Sequence, residues 1–269
     1  MLDPFAFIVF ISVIVTVRNE ERNMRDLLDS LVTQEGPLEI IIVDAYSTDR
    51  TREIVESYTN RYSYIKYFLK GGSIGAGRNY GVEQSKGEAV AFIDGDCIAN
   101  PFWLKNMREE LNQSKVVAGK TILIGFQAFE DLERVELIYK GFDITFPTSN
   151  LGYDKGLFQS IGGFDEWFIT AEDIDLNLRA VEAGASIVFR EDCVVYHRTR
   201  GTVYQFFKQA FWNGAGRKQL TLKHGRLWQN YRPTEMFKRE GNFWSISRLG
   251  MALLGYVGYK FFGWSRTED

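Results

Sequence analysis

Residues 89–97 read Ala-Val-Ala-Phe-Ile-Asp-Gly-Asp-Cys, an apolar run that leads directly into two carboxylates, Asp94 and Asp96, separated by one glycine. A strand that ends in this way presents hard oxygen ligands to a divalent cation, which commonly takes waters and diphosphate oxygens as its other ligands. Asp-Gly-Asp also forms ordinary turns, so the triplet alone leaves a structural turn as an alternative. The segments around it favour a ligand site.

Three earlier segments repeat the same order of strand, polar turn and helix. Strands are predicted at residues 11–17, 39–43, 65–69 and 89–93, and helices at residues 21–33, 50–60 and 78–85. Short β-branched runs that alternate with helical patterns are typical of parallel βαβ units. Four consecutive units predict an α/β fold with a doubly wound, mostly parallel sheet, whose ligand site lies at the carboxyl ends of the strands.

The pattern changes after residue 100. It predicts a helix at 103–113, a strand at 116–125, irregular structure to 163, a helix at 173–183, short strands at 186–189 and 194–196, and helices over 202–264. We therefore predict two parts, an α/β domain over residues 1–200 and a helical, basic and aromatic segment over residues 201–269.

Composition limits the class of protein. With 269 residues, 45% of them apolar, the chain can bury one sizeable core. Cys97 and Cys193 are too few for a disulfide framework and indicate a reducing compartment. The apolar residues 5–17 are short for a membrane span and follow no positive charge, which favours a buried strand over a signal peptide.

Charge is unevenly distributed along the chain. Residues 1–197 hold 19 Lys and Arg against 31 Asp and Glu, whereas residues 198–240 hold 10 against 2. Basic and aromatic residues interleave over 198–264, as on surfaces that meet anionic lipid headgroups, with nucleic acid as the alternative partner. Only 11 residues separate Arg248 from Lys260, too few to cross a bilayer, so we expect helices that lie in the membrane interface or pack on the core.

Six segments, in this order and at this spacing, resemble glycosyltransferase family 2, whose members have the GT-A fold. The segments are residues 12–21, 42–51, 77–81, 94–96, 161–166 and 172–176. The resemblance extends over about residues 11–200. It implies a metal-dependent, inverting enzyme that transfers a sugar from a nucleotide-diphosphate donor, with a UDP-sugar expected, to a lipid-linked or surface glycan acceptor.

The resemblance also implies which residues hold the donor. They are Thr16, Arg18, Asn19, Glu20, Asp44, Arg78 and Asp94. Arg78 is predicted to open a helix after a glycine-rich loop, with a surface arginine as the alternative, and Asn19 could instead cap a helix. Residues 44–47 read Asp-Ala-Tyr-Ser where the family commonly has Asp-Asp-Gly-Ser. One carboxylate that often contacts the nucleotide base is therefore absent, and the sequence does not determine which base the donor carries.

The same resemblance implies roles for four further residues, two in metal binding and two in proton transfer. Asp96 is expected to bind Mg²⁺ or Mn²⁺, and His197 is a further candidate ligand with a structural role as the alternative. Asp173 is expected to act as general base, and Glu172 to orient the acceptor or the base. The alternative for this acidic pair is stabilisation of a helix start through the helix dipole.

Two other functions remain possible on the sequence alone. A sugar nucleotidyltransferase would have a glycine-rich signature after the first strand, which residues 16–20 do not supply. A glycan- or nucleic-acid-binding module without catalysis would not require Asp94, Asp96 and Asp173. We expect a cytoplasmic enzyme, peripheral on the inner face of the cell membrane, with no nucleic-acid partner.

Overall fold

The structure is a computed structural model that describes residues 9–125, 136–199, 201–225, 227 and 243–263. The described strands are β1 (Ile11–Val17), β2 (Leu38–Asp44), β3 (Ile65–Leu69), β4 (Ala89–Phe92), β5 (Cys97–Ala99), β6 (Val116–Ile124), β7 (Ile138–Tyr139), β8 (Phe142–Asp143), β9 (Leu151–Asp154) and β10 (Ile187–Arg198). The described α-helices are α1 (Met24–Val32), α2 (Thr51–Thr59), α3 (Ile74–Glu83), α4 (Trp103–Leu111), α5 (Lys155–Ser160), α6 (Glu172–Glu182), α7 (Val203–His224) and α8 (Phe243–Phe262).

Eight strands form one sheet in the order β3-β2-β1-β4-β9-β6-β10-β5. The first four are parallel to one another, which confirms the predicted α/β fold with its mostly parallel sheet. β9 is antiparallel to β4 and β6, β10 is parallel to β6, and β5 is antiparallel to β10. Because β1, β2 and β4 are adjacent and parallel, the turns that follow them meet at one edge of the sheet.

Apolar side chains are buried on both faces of this sheet. Val13 and Val15 of β1 face one core with residues of α1, α2 and α4, whereas Ile14 faces a second core with residues of α3, α5 and α6. Successive side chains of a strand point to opposite faces, so burial on both sides requires the nearly continuous apolar runs of β1 and β2.

The prediction of irregular structure up to residue 163 is wrong for residues 151–160. β9 lies there in the middle of the sheet and α5 follows it. β9 has only four residues, and one of them is Gly152, where a Cβ atom would lie 2.8 Å from Sδ of Met107. Such a short run with a central glycine has no strand pattern of its own, because its pairing comes from distant residues.

Two further predictions need correction. Residues 187–198 form one strand rather than two, with a register shift between Arg190 and Val194 that breaks the alternating pattern. α3 starts at Ile74, because the Ser73 hydroxyl caps the Ala76 N–H at 3.2 Å. Arg78 therefore lies in the second turn of the helix and does not open it.

The two C-terminal helices pack against each other and against the α/β domain. Gly214 of α7 meets the Ala252 backbone, and Gly255 of α8 meets the Phe211 backbone. α7 also buries Phe206 and Leu220. The helical prediction for 202–264 is confirmed where residues are described, and residues 226, 228–242 and 264 lie outside that part. No helix among the described residues has both the length and the apolar character needed to cross a membrane.

Candidate active site

The turns that follow β1 and β2 are locked together by hydrogen bonds. The Asn19 N–H donates to Ser47 Oγ at 2.8 Å, and the Thr48 N–H donates to Asn19 Oδ1 at 2.8 Å. The Glu20 N–H donates to Thr51 Oγ1 at 2.7 Å. Asn19 has a φ of 55°, a left-handed conformation that these bonds hold in place. The short polar side chains of both turns thus build one rigid rim.

Asp44 lies beneath this rim with no exposed surface. Its Oδ1 accepts hydrogen bonds from the Ser47 N–H and hydroxyl, both at 2.7 Å, and its Oδ2 accepts one from the Tyr67 hydroxyl at 2.6 Å. Both carboxylate oxygens are therefore engaged within the protein, and the neighbouring Ala45 lines the adjacent cavity. The contact of Asp44 with a donor stays a prediction.

A cavity of about 770 Å³, which we call cavity A, opens at the carboxyl ends of β1, β2 and β4. The predicted site residues that line it are Thr16, Arg18, Asn19, Glu20, Asp94 and Asp96. The Oγ1 atom of Thr16 is buried and has no hydrogen-bond partner among the described residues. A buried hydroxyl without a partner is costly, which fits a wall that is completed by a polar ligand.

Asp96, which lines cavity A, lies beside His197. Asp96 Oδ1 is 3.1 Å from His197 Nε2, and ligand atoms of Asp96, Cys97 and His197 all lie within 4.8 Å of one another. The antiparallel pairing of β5 with β10 produces this proximity, since it places Cys97 opposite His197.

This group of residues fits a divalent cation. Burial, together with the nearby carboxylates of Asp94 and Asp96, raises the pKa of the Cys97 thiol, and sulfur is in any case a soft ligand that Mg²⁺ and Mn²⁺ do not prefer. One carboxylate oxygen and one imidazole nitrogen then remain, a set that suits Mg²⁺ or Mn²⁺ when phosphate oxygens and water complete the coordination.

Arg78 bridges two parts of the site. Its Nη2 is 2.8 Å from Asp94 Oδ1, and its Nη1 is 2.6 Å from Glu172 Oε1. The side chain is almost completely buried, so the alternative of a surface arginine is wrong. Although burial opposes its charge, Asp94 and Glu172 raise the pKa of Arg78, which keeps the bridge ionic. The fork connects the turn after β4 to the first turn of α6.

Asp173 lies in the first turn of α6, two residues after the N-cap Ala171, whose φ of 69° is unusual for a residue with a Cβ atom. Burial and, secondly, the Glu172 carboxylate raise the pKa of Asp173 to about 7, against the opposing effect of Arg78. The carboxylate is half-buried. A carboxyl group that titrates near neutral pH is suited to accept a proton from a hydroxyl.

A second cavity of about 820 Å³, which we call cavity B, lies on the other side of Arg78. Arg78, Glu172, Asp173 and His197 line it, together with residues of β6, α7 and α8. Asp94 lines both cavities. The two cavities therefore meet at Asp94, with Asp96 on one side and Asp173 on the other, an arrangement that can hold two molecules and transfer a group between them.

The contribution of α7 could not be found from the sequence. The Gln219 amide accepts from the Ile169 N–H at 2.9 Å and donates to the Trp167 carbonyl at 2.7 Å. His224, which has no motif around it, lies 2.6 Å from Asp175 Oδ1. These pairs are separated by about 50 residues in the chain, and no local spacing signals them.

The contacts of α7 hold the segment in front of Asp173 in place. Although burial opposes its ionisation, hydrogen bonds from His224, Lys223 and Arg179 lower the pKa of Asp175 to about 2. Lys223 also binds Asp165 at 2.7 Å. The segment 165–175 is therefore fixed from the side of α7, and within it residues 166–169 line cavity A and residues 169–174 line cavity B.

Two family descriptions match the chain. "Glycosyl transferase family 2" matches residues 12–163, and "Glycosyl transferase family group 2" matches residues 129–264. The glycosyltransferase AglE of Haloferax volcanii is 29% identical over an alignment of 229 positions, which covers 79% of this chain and 74% of that protein. The poly(ribitol-phosphate) beta-N-acetylglucosaminyltransferase TarS of Staphylococcus aureus is 40% identical over an alignment of 100 positions, which covers 35% of this chain and 18% of TarS.

Solved structures share the fold. TarS residues 1–349 in complex with UDP-GlcNAc superpose with a TM-score of 0.63 at 23% identity, over 91% of this chain and 81% of that one. A mannosyltransferase of Pyrobaculum calidifontis in complex with GDP-Man and Mn²⁺ superposes with a TM-score of 0.65 at 19% identity, over 95% of this chain and 76% of that one. The fold of this chain is therefore the one found in these enzymes.

Proposed function

The chain belongs to glycosyl transferase family 2 and is a glycosyltransferase, and from this premise we propose a metal-dependent, inverting transfer of a sugar from a nucleotide-diphosphate donor to an acceptor hydroxyl. The observation that carries the proposal is the meeting of cavities A and B at Asp94, with Asp96 lining cavity A, Asp173 and His197 lining cavity B, and His197 adjacent to Asp96. A binding module without catalysis would not need this arrangement.

Cavity A receives the donor. Its rim offers polar side chains of residues 16–20 to the nucleoside, and Asp94 and Asp96 also line the cavity. The TarS structure holds UDP-GlcNAc and the mannosyltransferase structure holds GDP-Man, both of them nucleotide sugars. A UDP-sugar is the proposed donor of this chain.

Asp96 and His197 would hold Mg²⁺ or Mn²⁺ next to the donor diphosphate. When bound there, such an ion supplies positive charge that stabilises the nucleoside diphosphate as it departs. Arg78 stays paired with Asp94 and Glu172. Its role is therefore to hold these two carboxylates in position, and its positive charge is already balanced by them.

The acceptor enters through cavity B, where Asp173 takes the proton from its hydroxyl. The acceptor oxygen forms a bond to the anomeric carbon as the bond from that carbon to the diphosphate oxygen breaks. Attack from the side opposite the leaving group inverts the anomeric centre. Glu172, which Arg78 holds in place, orients the acceptor or the base, and the pKa of about 7 keeps much of Asp173 ionised at neutral pH.

The proposed acceptor is lipid-linked or a surface glycan, reached from the cytoplasmic face of the membrane. α8 supports this part of the proposal, because its outer face exposes Ile246, Leu253, Val257 and Phe261, four or seven residues apart. Co-sedimentation with anionic vesicles, reduced in the Leu253→Ser/Val257→Ser double variant, is the expected result. If the wild-type protein and the double variant sediment equally, the proposal that α8 contacts a membrane fails.

Release of UDP from UDP-GlcNAc in the presence of Mn²⁺ tests the proposed activity. Asp173→Asn should reduce turnover at least a hundredfold, because the amide cannot accept the proton, while UDP binding persists. Glu182→Gln is the matched control, since Glu182 is exposed on the same helix outside both cavities. If wild-type protein turns over no nucleotide sugar, or if Asp173→Asn matches Glu182→Gln, the proposal fails.

A further inference from the structure

An aromatic ring in cavity B is open to solvent. Phe189, near the start of β10, lines this cavity and is 44% exposed. Its ring stacks on that of Phe146, with centroids 5.3 Å apart and an angle of 12° between the planes. Single exposed apolar side chains are common on protein surfaces, but an aromatic ring inside a cavity is typical of a ligand contact. Phe146 and Phe189 together form a flat apolar platform.

This platform is fixed relative to the proposed base. Asn177 Nδ2 donates to the carbonyl groups of Ile144 at 3.1 Å and Phe146 at 3.0 Å. The Tyr153 hydroxyl donates to Asn177 Oδ1 at 2.6 Å, so the amide is held on both sides. Asn177 follows Asp173 by four residues on α6, which places the two on one face of the helix about 6 Å apart along its axis. The platform is therefore anchored one helical turn from Asp173.

Two hydroxyl groups in the wall of cavity B have no hydrogen-bond partner within the part of the chain that the structure describes. They are Ser149 Oγ and Thr121 Oγ1, both shielded from solvent, and both residues line the cavity. Asn150 donates to the Lys120 carbonyl at 3.0 Å, so the segments that carry the two hydroxyl groups are adjacent. Buried hydroxyl groups without partners are costly, which fits a wall that is completed by a ligand with polar groups of its own.

A hexopyranose ring matches both features. The C–H groups on one face of the sugar can pack against an aromatic ring, while its hydroxyl groups can donate and accept hydrogen bonds. An isoprenoid chain would cover Phe189 but would leave Ser149 and Thr121 without partners. An acyclic polyol would satisfy the two hydroxyl groups but has no flat apolar face for Phe189. The combination favours a sugar ring over a lipid chain or a polyol.

We propose that Phe189, Ser149 and Thr121 form a subsite that binds a hexopyranose ring of the acceptor and so determines which acceptors are used. The proposal rests on the proposed function and names the specificity-determining residues of the same cavity. Because the platform is anchored one helical turn from Asp173, the ring bound there fixes which hydroxyl of the acceptor reaches the base. The subsite thus selects both the class of acceptor and the position of the new linkage.

Saturation-transfer difference NMR on the whole protein tests the subsite without nucleotide or metal, so the result does not depend on the donor. The sugar probes are maltose, cellobiose and N,N′-diacetylchitobiose. Glycerol serves as the acyclic polyol and farnesyl phosphate as the lipid. We expect at least one disaccharide to bind, with the strongest transfer to the C–H protons of one ring, and glycerol to give no signal.

Phe189→Ala should raise the Kd of the bound disaccharide about tenfold, because it removes the apolar platform. Ser149→Ala should raise the Kd about threefold, the effect of losing one neutral hydrogen bond, without lowering the melting temperature. Phe102→Ala is the matched control, since Phe102 is 62% exposed outside both cavities, and it should leave the Kd unchanged. Phe189→Leu keeps an apolar side chain but no flat ring, and it provides the same test if Phe189→Ala does not fold.

Three results would overturn the inference: no disaccharide binds, glycerol or farnesyl phosphate binds in place of the disaccharides, or Phe189→Ala binds a disaccharide as tightly as Phe102→Ala while both variants melt like the wild type. Failure of the proposed function would look different. In that case UDP and UDP-sugars would not bind cavity A, whereas a disaccharide would still bind and respond to Phe189.

Discussion

Asp173 acquires its chemistry from its surroundings. Burial and Glu172 raise its pKa to about 7, whereas Asp175, two residues later, has a pKa of about 2 because His224, Lys223 and Arg179 donate to it. Two carboxylates on one helix are thus adjusted for different tasks. Asp173 can exchange a proton near neutral pH, and Asp175 stays charged and holds α7 against α6.

This difference predicts a pH dependence of activity. Because the base must be deprotonated, kcat/KM should rise with pH and level off above a midpoint near 7. The Glu172→Gln variant should have a lower midpoint, since the charge of Glu172 is one cause of the raised pKa. A pH–rate profile from about pH 5 to pH 9 measures both midpoints. A flat profile, or an unchanged midpoint in Glu172→Gln, would argue against Asp173 as base.

Ser149 and Asn150 are adjacent and both fully buried, but they differ in the number of hydrogen bonds that their side chains form. Asn150 accepts from Trp103 Nε1 at 2.8 Å and donates to the carbonyl groups of Lys120 at 3.0 Å and Cys193 at 2.8 Å. The Ser149 hydroxyl has no partner among the described residues. The two side chains therefore provide a matched test of the cost of unsatisfied polar groups.

Asn150→Ala should lower the free energy of unfolding by about 2–4 kcal/mol, because it removes three hydrogen bonds made by a fully buried side chain. Ser149→Ala should change it by less than about 1 kcal/mol, or raise it, because it removes a hydroxyl that makes no hydrogen bond. Urea denaturation of the two variants beside wild type measures the difference. Equal losses would mean that Ser149 has a partner or that Asn150 does not bridge β6 and β10.

At the scale of elements, the packing of α7 on α8 depends on glycine. A Cβ atom at Gly255 would collide with the Phe211 carbonyl oxygen of α7, whereas a Cβ atom at Gly250 would meet nothing within 4 Å. The two glycines lie on the same helix, so intrinsic helix propensity affects them alike. Any difference between them therefore reports on the contact between the helices.

Gly255→Ala should destabilise the protein by about 1–3 kcal/mol, because α8 must move away from α7. Gly250→Ala should stabilise it by about 0.5–1 kcal/mol through helix propensity alone. Thermal unfolding followed by circular dichroism compares the two. A stabilised Gly255→Ala variant would contradict the close crossing of α7 and α8.

The sequence predicts the elements whose pattern is local. The four parallel strands and the turns that carry Asp94 and Asp96 are visible because each strand is an apolar run followed by polar residues. β9 and α5 are not visible, because a four-residue strand with a central glycine is stabilised by β4 and β6, far away in sequence. The ion pair between Arg78 and Glu172 could not be predicted from the sequence either, since the two residues lie 94 positions apart.

At the scale of the whole molecule, the two parts predicted from sequence cooperate in one site. Tyr259 and Gly263 at the end of α8 line cavity A, and Arg248 near its start lines cavity B. The division at residue 200 stays a prediction. Residues of the helical segment nevertheless line both cavities. The distribution of charge along the sequence does not indicate this.

The most direct test of the central claim is the melting temperature of the purified protein with UDP, GDP, CDP or dTDP, each in the presence of Mn²⁺ or EDTA. A ligand that binds only the folded state at about a hundred times its Kd stabilises it by about 2.7 kcal/mol, which corresponds to a rise of about 5–10 °C. We predict such a rise with one nucleotide and Mn²⁺, and a smaller rise with EDTA or in the Asp96→Asn variant. No rise with any nucleotide, or a rise that neither EDTA nor Asp96→Asn reduces, would contradict a metal-dependent donor site formed by Asp96 and His197.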